Sequence, residues 1–466
     1  MGALLSVVTL GAMAAFFALG SSNYSDRQPV VHFPTQPAVL AVKKAKDLDE
    51  VEHVSLRTLI ETRCQSLFTE FHPLWWLFNG HLQTIYCVLG NFAKNDLIWY
   101  ERTYLRLSDG GTLGLDFSPI KSESSHLKDD SPIVVVQHGL TGGSYEPYVR
   151  AILSRACAKK EDGGLGFRAV VINFRGCAGV PITSPLLYSA GHTDDTRQAL
   201  MYVARQYPNA PLLGLGFSLG SNVLTRYLAE EGAHSRLHSA CALACPWDLA
   251  ANNNGLLTSF LGKHIYSKGM GGNLLNLLRK HLKPLIADPD HHVAKAAQMA
   301  LSLKNPTLEA FDNTFTRIAG GPAPHFPFAN SDDYYRWGSS HNVVKDIAVP
   351  YLAINADDDP VVRHVPMDGA GNGLVVMELT RGGGHLGWFQ AGLGFVDRWT
   401  TKPVLEWLKL VGEELVHDPN PKGRPLFVDT DGYLKEEGKP HLGCRVIDGG
   451  GIIDGSGGEE GMLQGL

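Results

Sequence analysis

A serine hydroxyl becomes a useful nucleophile only when a base takes its proton and a carboxylate orients that base. Three loops of this chain offer the set in order: Gly216-Phe-Ser218-Leu-Gly220, Asp357-Asp-Asp359-Pro360 and Gly382-Gly-Gly-His385-Leu-Gly387. With 51 glycines among 466 residues, a G-x-S-x-G match arises by chance in about one such chain in three. The flanks therefore decide. The apolar run Leu212–Gly216 precedes Ser218, and helix-spaced Val223, Leu224, Tyr227 and Leu228 follow it. Strand, sharp turn and helix is the context of a nucleophile elbow.

His385 lies in a glycine loop after the apolar run 374–379, which lets the backbone carry the imidazole over a sheet edge. Asp359, just before Pro360, is the expected orienting acid, with Asp358 as the rival. An oxyanion hole needs two backbone N–H groups. Leu219, next after the nucleophile, supplies one, and Leu140 in His138-Gly139-Leu140 is positioned to supply the other. His138 itself reads as a structural partner of nearby backbone rather than a catalyst.

Metal chemistry finds little support. The Asp357–Asp359 run lacks a second oxygen cluster at metal-loop spacing. Asp288-Pro-Asp-His-His292 carries no two histidines at helical i, i+4 spacing and reads as a solvated loop. The seven cysteines form no CxxC pair, which removes the usual zinc signature and leans towards a reducing compartment. No cofactor is expected. A net charge of −6 without a basic run gives no case for nucleic acid.

The elements that must position these loops follow from the apolar pattern. Residues 133–137, 169–173, 212–217 and 240–244 are buried-strand runs separated by helical stretches, the mark of a parallel sheet built from βαβ units. A β-hairpin over 99–117 turns at Asp109-Gly-Gly111. The period fails from about 249 to 340, the mark of a helical cap insertion, and the sheet resumes at 349–356 and 374–379. A last helix spans about 402–416. The expected organisation is an N-terminal membrane anchor at 1–20, a linker at 21–55, an α/β domain at 56–417 and a polar, Gly-rich tail at 418–466, largely disordered at its end. The anchor rests on the almost wholly apolar run 3–19, at the lower limit for a bilayer span. Arg27 and the lysines near 43 follow it, which puts the body in the cytosol by the positive-inside rule; a cleaved signal peptide is the rival. The aromatic stretch Phe71–Ile85 reads either as core packing or as an acyl pocket or membrane-facing lip.

From Phe71 to His385, about two-thirds of the chain, the sequence resembles the AB hydrolase 4 group of α/β-hydrolases. That group includes the bacterial YheT-like esterases, animal ABHD-type phospholipases and yeast medium-chain fatty acid ethyl ester synthase/esterases. The matching stretches are Gly80-His-Leu-Gln-Thr84, His138-Gly-Leu140, Asn173-Phe-Arg-Gly-Cys177, Gly191-His-Thr-Asp-Asp195, Gly216-Phe-Ser-Leu-Gly220, Phe311-Asp312, Asp333-Tyr-Tyr335, Asp358-Asp-Pro360 and Gly383-Gly-His-Leu-Gly387. The resemblance implies an α/β-hydrolase fold, a Ser218, Asp359, His385 relay and activity on fatty acyl esters. The interval from Asp359 to His385 is slightly short for the group, which keeps Asp358 in play.

The expected function is a membrane-associated serine esterase or lipase acting on medium-chain acyl esters or related lipids. Transfer of the acyl group to a short alcohol, with acyl-CoA as donor, and phospholipase action are the alternatives within that chemistry. A non-catalytic, membrane-tethered hydrolase fold is the alternative of another class.

Overall fold

The structure, a computed structural model, describes residues 27–44, 47–392, 396–418 and 422–465. The expected anchor at 1–20 lies outside them. Among the described residues no helix is long and apolar enough to cross a membrane.

The strands up to Ser218 are β1 (Val30–His32), β2 (Val39–Lys44), β3 (Asp47–Ser55), β4 (Trp99–Leu107), β5 (Thr112–Ser118), β6 (Ile133–Gln137), β7 (Arg168–Asn173) and β8 (Leu212–Phe217). After it come β9 (Ser239–Leu243), β10 (Tyr351–Ala356), β11 (Val375–Thr380), β12 (Phe389–Ala391), β13 (Val396–Arg398), β14 (Leu426–Val428), β15 (Leu434–Glu436) and β16 (Lys439–Asp454). One twelve-stranded sheet runs β1-β11-β10-β9-β8-β6-β7-β5-β4-β16-β15-β14. Its centre, β11 to β7, is parallel, and antiparallel strands flank it on both sides.

The parallel strands are buried on both faces because helices cover both. Val134, Val136, Leu213 and Leu215 face one apolar layer with the helix Thr401–Lys409. Ile133, Val135 and Leu212 face the other, with the helices Asp194–Gln206 and Leu219–Glu231. Residues between β9 and β10 are helical, as the broken period predicts, and build a separate apolar cluster around Leu277, Phe311 and Phe315. All seven cysteines are buried and unpaired. The aromatic stretch divides: Phe71 and Leu77 join the core, whereas Trp75 is 82% exposed.

Two expectations need correction. The described part of the supposed linker, 27–55, is structured. β1 pairs antiparallel with β11, and β2 with β3 forms a hairpin. Pro29, Pro34 and Pro37 fall outside these strands, where a missing N–H costs no ladder bond. The tail is not loose either: β14, β15 and β16 extend the main sheet beyond β4. Leu434, Leu442 and Cys444 are buried there. The glycines that suggested disorder adopt positive φ at 449–451, where the β16 register on β4 shifts between Ile447 and Gly451. They form a bulge that lets pairing resume down to Asp454.

Candidate active site

Ser218 sits between β8 and the helix Leu219–Glu231, at the carboxyl edge of the parallel sheet, where open α/β sheets bind their ligands. The close passage of strand and helix excludes side chains on both flanks. A Cβ on Gly216 would lie 2.6 Å from Ser221 Cα, and one on Gly220 would lie 2.3 Å from the Gln137 carbonyl oxygen.

His385 follows β11 and Asp359 follows β10, on the same edge. His385 Nε2 is 2.8 Å from Ser218 Oγ, and His385 Nδ1 is 2.8 Å from Asp359 Oδ2. With the Nδ1 proton donated to the carboxylate, Nε2 is free to accept from the serine hydroxyl. Asp359 Oδ1 accepts the N–H groups of Val361 and Val362 at 2.7 and 2.9 Å, so both of its oxygens are engaged. Asp359 and His385 are 3% and 1% exposed, and Ser218 is 7% exposed.

The rival carboxylate is turned elsewhere. Asp358 Oδ1 accepts the Gly384 N–H at 2.8 Å, and its carboxyl also takes the Gly80 N–H. Burial, reinforced by Asp357 and Asp359, pushes Asp358 up to about 7 despite those two bonds. Asp357 Oδ1 accepts the Gly382 N–H at 2.8 Å. The three consecutive carboxylates thus grip the glycine loop at three points, and one of those points is the imidazole.

The helix Gly80–Leu89 completes the grip, which the sequence reading of that stretch missed. Thr84 Oγ1 accepts the His385 N–H at 2.9 Å and donates to the Gly80 carbonyl at 2.7 Å. Gln83 Oε1 accepts the Phe389 N–H, and its amide donates to the carbonyls of Leu77 and Phe389. The signal was present as two adjacent uncharged polar residues, Gln83 and Thr84, on a helix whose following residues 85–89 are mostly apolar.

The loop after β6 is held on both sides of Leu140. The Gly139 N–H donates to the Tyr148 hydroxyl and the Thr141 N–H to the Tyr188 hydroxyl, at 3.0 and 2.9 Å. Leu140 and Leu219 line the same cavity as Ser218. His138 Nδ1 donates to the Gly139 carbonyl at 2.8 Å, and Nε2 accepts the Phe174 N–H at 3.2 Å. Burial lowers its pKa to about 4, so it stays neutral and ties two loops together.

Two other quoted stretches are structural. Arg175 makes a two-pronged ion pair with Asp195 at 2.6 and 2.7 Å and also reaches Asp109. It fastens the loop after β7 to the start of the helix Asp194–Gln206. Among the described residues no group of His, Cys, Asp or Glu is arranged to hold a metal ion.

Apolar side chains dominate the rest of the Ser218 cavity: Leu249, Leu256, Met270, Leu274 and Leu308. The arrangement is chemically suited to attack on the carbonyl of a substrate with an apolar portion.

Comparison with known proteins agrees with this architecture. The family model described as alpha/beta hydrolase fold matches residues 132–374. A monoacylglycerol lipase of Saccharomyces cerevisiae is 30% identical over 83% of this chain and 91% of its own length. The putative esterase YheT of Escherichia coli is 31% identical over 73% of this chain and 93% of its own. The medium-chain fatty acid ethyl ester synthase/esterase 2 of S. cerevisiae is 28% identical over 73% and 86%. The chain belongs to the α/β-hydrolase family, among its YheT- and ABHD-type members, and is a hydrolase of the esterase/lipase kind.

Proposed function

We propose that the protein hydrolyses carboxylic esters of medium-chain acyl groups, or related lipids, through a covalent acyl-enzyme on Ser218. The observation that carries this reading is the continuous pair of 2.8 Å contacts from Ser218 Oγ through His385 to Asp359. His385 Nε2 takes the hydroxyl proton as Oγ bonds to the acyl carbon. The carbonyl oxygen becomes an oxyanion, held by the N–H groups of Leu140 and Leu219. Collapse breaks the bond to the alcohol oxygen, which leaves with the proton from His385. Water then attacks the acyl-enzyme by the same steps in reverse. The imidazolium formed in between is stabilised by Asp359, whose charge is held in turn by the Val361 and Val362 N–H groups.

The apolar lining supports an acyl chain as the occupant of the cavity. A short alcohol in place of water would yield an ester, the branch that the name of the similar yeast ethyl ester synthase/esterase points to. The apolar run 3–19 is proposed as a membrane anchor.

A fluorophosphonate probe tests the reading directly. Wild type should label and Ser218→Ala should not; no labelling of wild type, or equal labelling of both, would favour a non-catalytic binding module. An acyl-chain series with and without ethanol then separates hydrolysis from transfer. Deleting residues 1–20 should move the protein from pellet to soluble fraction, and continued pelleting counts against the anchor.

A further inference from the structure

The Ser218 cavity is not uniformly apolar. Several of its lining residues besides Ser218 are polar and almost fully buried, among them Asn252, Asp312, Thr316 and Tyr335. Asp312 and Thr316 bound a five-residue π-helical turn, and Tyr335 comes from the helix Ser331–Gly338. π-turns recur at functional sites because the extra residue re-aims side chains.

Their hydrogen bonding is incomplete. Asp312 accepts the Tyr335 hydroxyl at 2.8 Å. Burial pushes its carboxyl up to about 6, and no cation stands among the groups that perturb it. Asn252 uses its oxygen on the Arg363 N–H, but its amide nitrogen has no partner. The Thr316 hydroxyl lies close enough to lower the Asp312 pKa, yet makes no hydrogen bond of good geometry. Each buried polar atom left without a partner costs about 1–3 kcal/mol. An acyl-chain cavity has no use for that cost unless a ligand relieves it.

We propose that Asn252, Asp312, Thr316 and Tyr335 form a subsite for a hydroxyl group carried by the substrate, on its alcohol portion or along its acyl chain. The inference rests on the acyl-transfer reading of Ser218. A hydroxyl can donate to the Asp312 carboxylate or the Thr316 oxygen and accept from the Asn252 amide. An ammonium headgroup would pair with Asp312 but leave the amide donor unsatisfied. A plain alkyl chain would leave the Asn252 amide nitrogen and the Thr316 hydroxyl unsatisfied. The subsite also gives a role to Asp312 and Tyr335, whose Phe311-Asp312 and Asp333-Tyr-Tyr335 stretches take no part in the relay.

The test compares kcat/KM of the purified full-length chain on ethyl decanoate, 1-decanoylglycerol and ethyl 10-hydroxydecanoate. At least one hydroxylated ester should exceed ethyl decanoate by about tenfold or more, and which one identifies where the hydroxyl sits. Thr316→Val and Asn252→Leu should each reduce that ratio about tenfold, with fluorophosphonate labelling of Ser218 reporting that the variants are folded. Thr316→Val is nearly isosteric and keeps the test usable should the Asn252 variant not label. Ratios near one for both hydroxylated esters, or a preference that neither labelled variant moves, overturn the subsite while ethyl decanoate turnover leaves the esterase reading standing. Absence of both labelling and turnover in wild type overturns the esterase reading, and the subsite with it.

Discussion

Ser218 has backbone angles of φ 49° and ψ −121°, outside the regions open to an unstrained L-residue. Such a conformation costs about 1–3 kcal/mol and persists only where the surroundings impose it. Here the Ser218 N–H is tied to the Leu243 carbonyl at 2.9 Å, and the next helix begins at Leu219. The two neighbouring aspartates differ in their partners at the same scale, Asp359 facing His385 and Asp358 the Gly384 N–H. Asp359→Asn should lower kcat by about 10³–10⁴-fold, because an amide cannot stabilise the imidazolium or hold its tautomer. Asp358→Asn should retain most turnover, since the amide oxygen can still accept the Gly384 N–H; the opposite pattern in steady-state kinetics would make Asp358 the orienting acid. Asp358 has a second, measurable signature. A carboxyl whose folded pKa is raised, here from 3.8 to about 7, contributes stability fully present below pH 4. That contribution is lost as pH rises to about 7. Denaturant melts of wild type should therefore weaken across this window by an amount on the order of a few kcal/mol. Asp358→Asn should flatten that part of the curve.

At the scale of elements, the helix Gly80–Leu89 is the brace on which the histidine loop rests. Asn79 caps it by accepting the Leu82 N–H at 3.0 Å, which sets where its first turn meets Asp358 and Gly384. Thr84→Val would leave the buried His385 N–H without its acceptor, at a cost of about 1–3 kcal/mol. The imidazole would then shift relative to Ser218, so kcat should fall about tenfold or more with KM little changed. Thr84→Ser should restore it. Equal kcat for the valine variant and wild type would remove the brace from the argument. The helices after β9 also have a fixed seat: Asn222, one turn beyond Ser218, donates to the Ala190 and Gly338 carbonyls at 2.8 and 2.7 Å. Arg226 of the same helix adds bonds to the Trp337 and Ser339 carbonyls at 2.7 and 3.2 Å, so two side chains of the helix Leu219–Glu231 hold the end of this helical segment.

Across the whole molecule, the C-terminal strands are part of the fold's closure. β16 covers the edge that β4 would otherwise expose, a liability for any sheet. Arg236, after the helix Leu219–Glu231, holds Glu436 of β15 at 2.6 Å and also donates to the Lys422 and Arg424 carbonyls. Both side chains are buried. Breaking such a pair by removing one partner costs about 3–5 kcal/mol. Glu436→Ala should lose that much in equilibrium unfolding, and truncation before Leu434 should yield aggregated protein. A soluble truncated protein with full thermal stability would show the tail to be dispensable. Further on, Glu459 accepts the Ala178 N–H, and the Gly465 N–H donates to Glu146 beside the Leu140 loop. The end of the tail thus supports the active-site side of the sheet.

Local pattern alone determined the parallel strands, the hairpin at Asp109-Gly-Gly111, the elbow at Ser218 and the loops carrying Asp359 and His385. Those features are written in runs of apolar residues and in glycines at sharp turns, which act over a few residues. The choice between Asp358 and Asp359 was not available locally. Adjacent carboxylates differ only in which side of the chain they face, and the partners waiting there are Gly80, Gly384 and His385. The brace by Thr84 and Gln83, and the pairing of a glycine-rich tail with β4, depend on contacts between segments hundreds of residues apart. Composition marks glycine as flexible; only the tertiary structure decided that Gly449 to Gly451 would be used as a bulge rather than a disordered end.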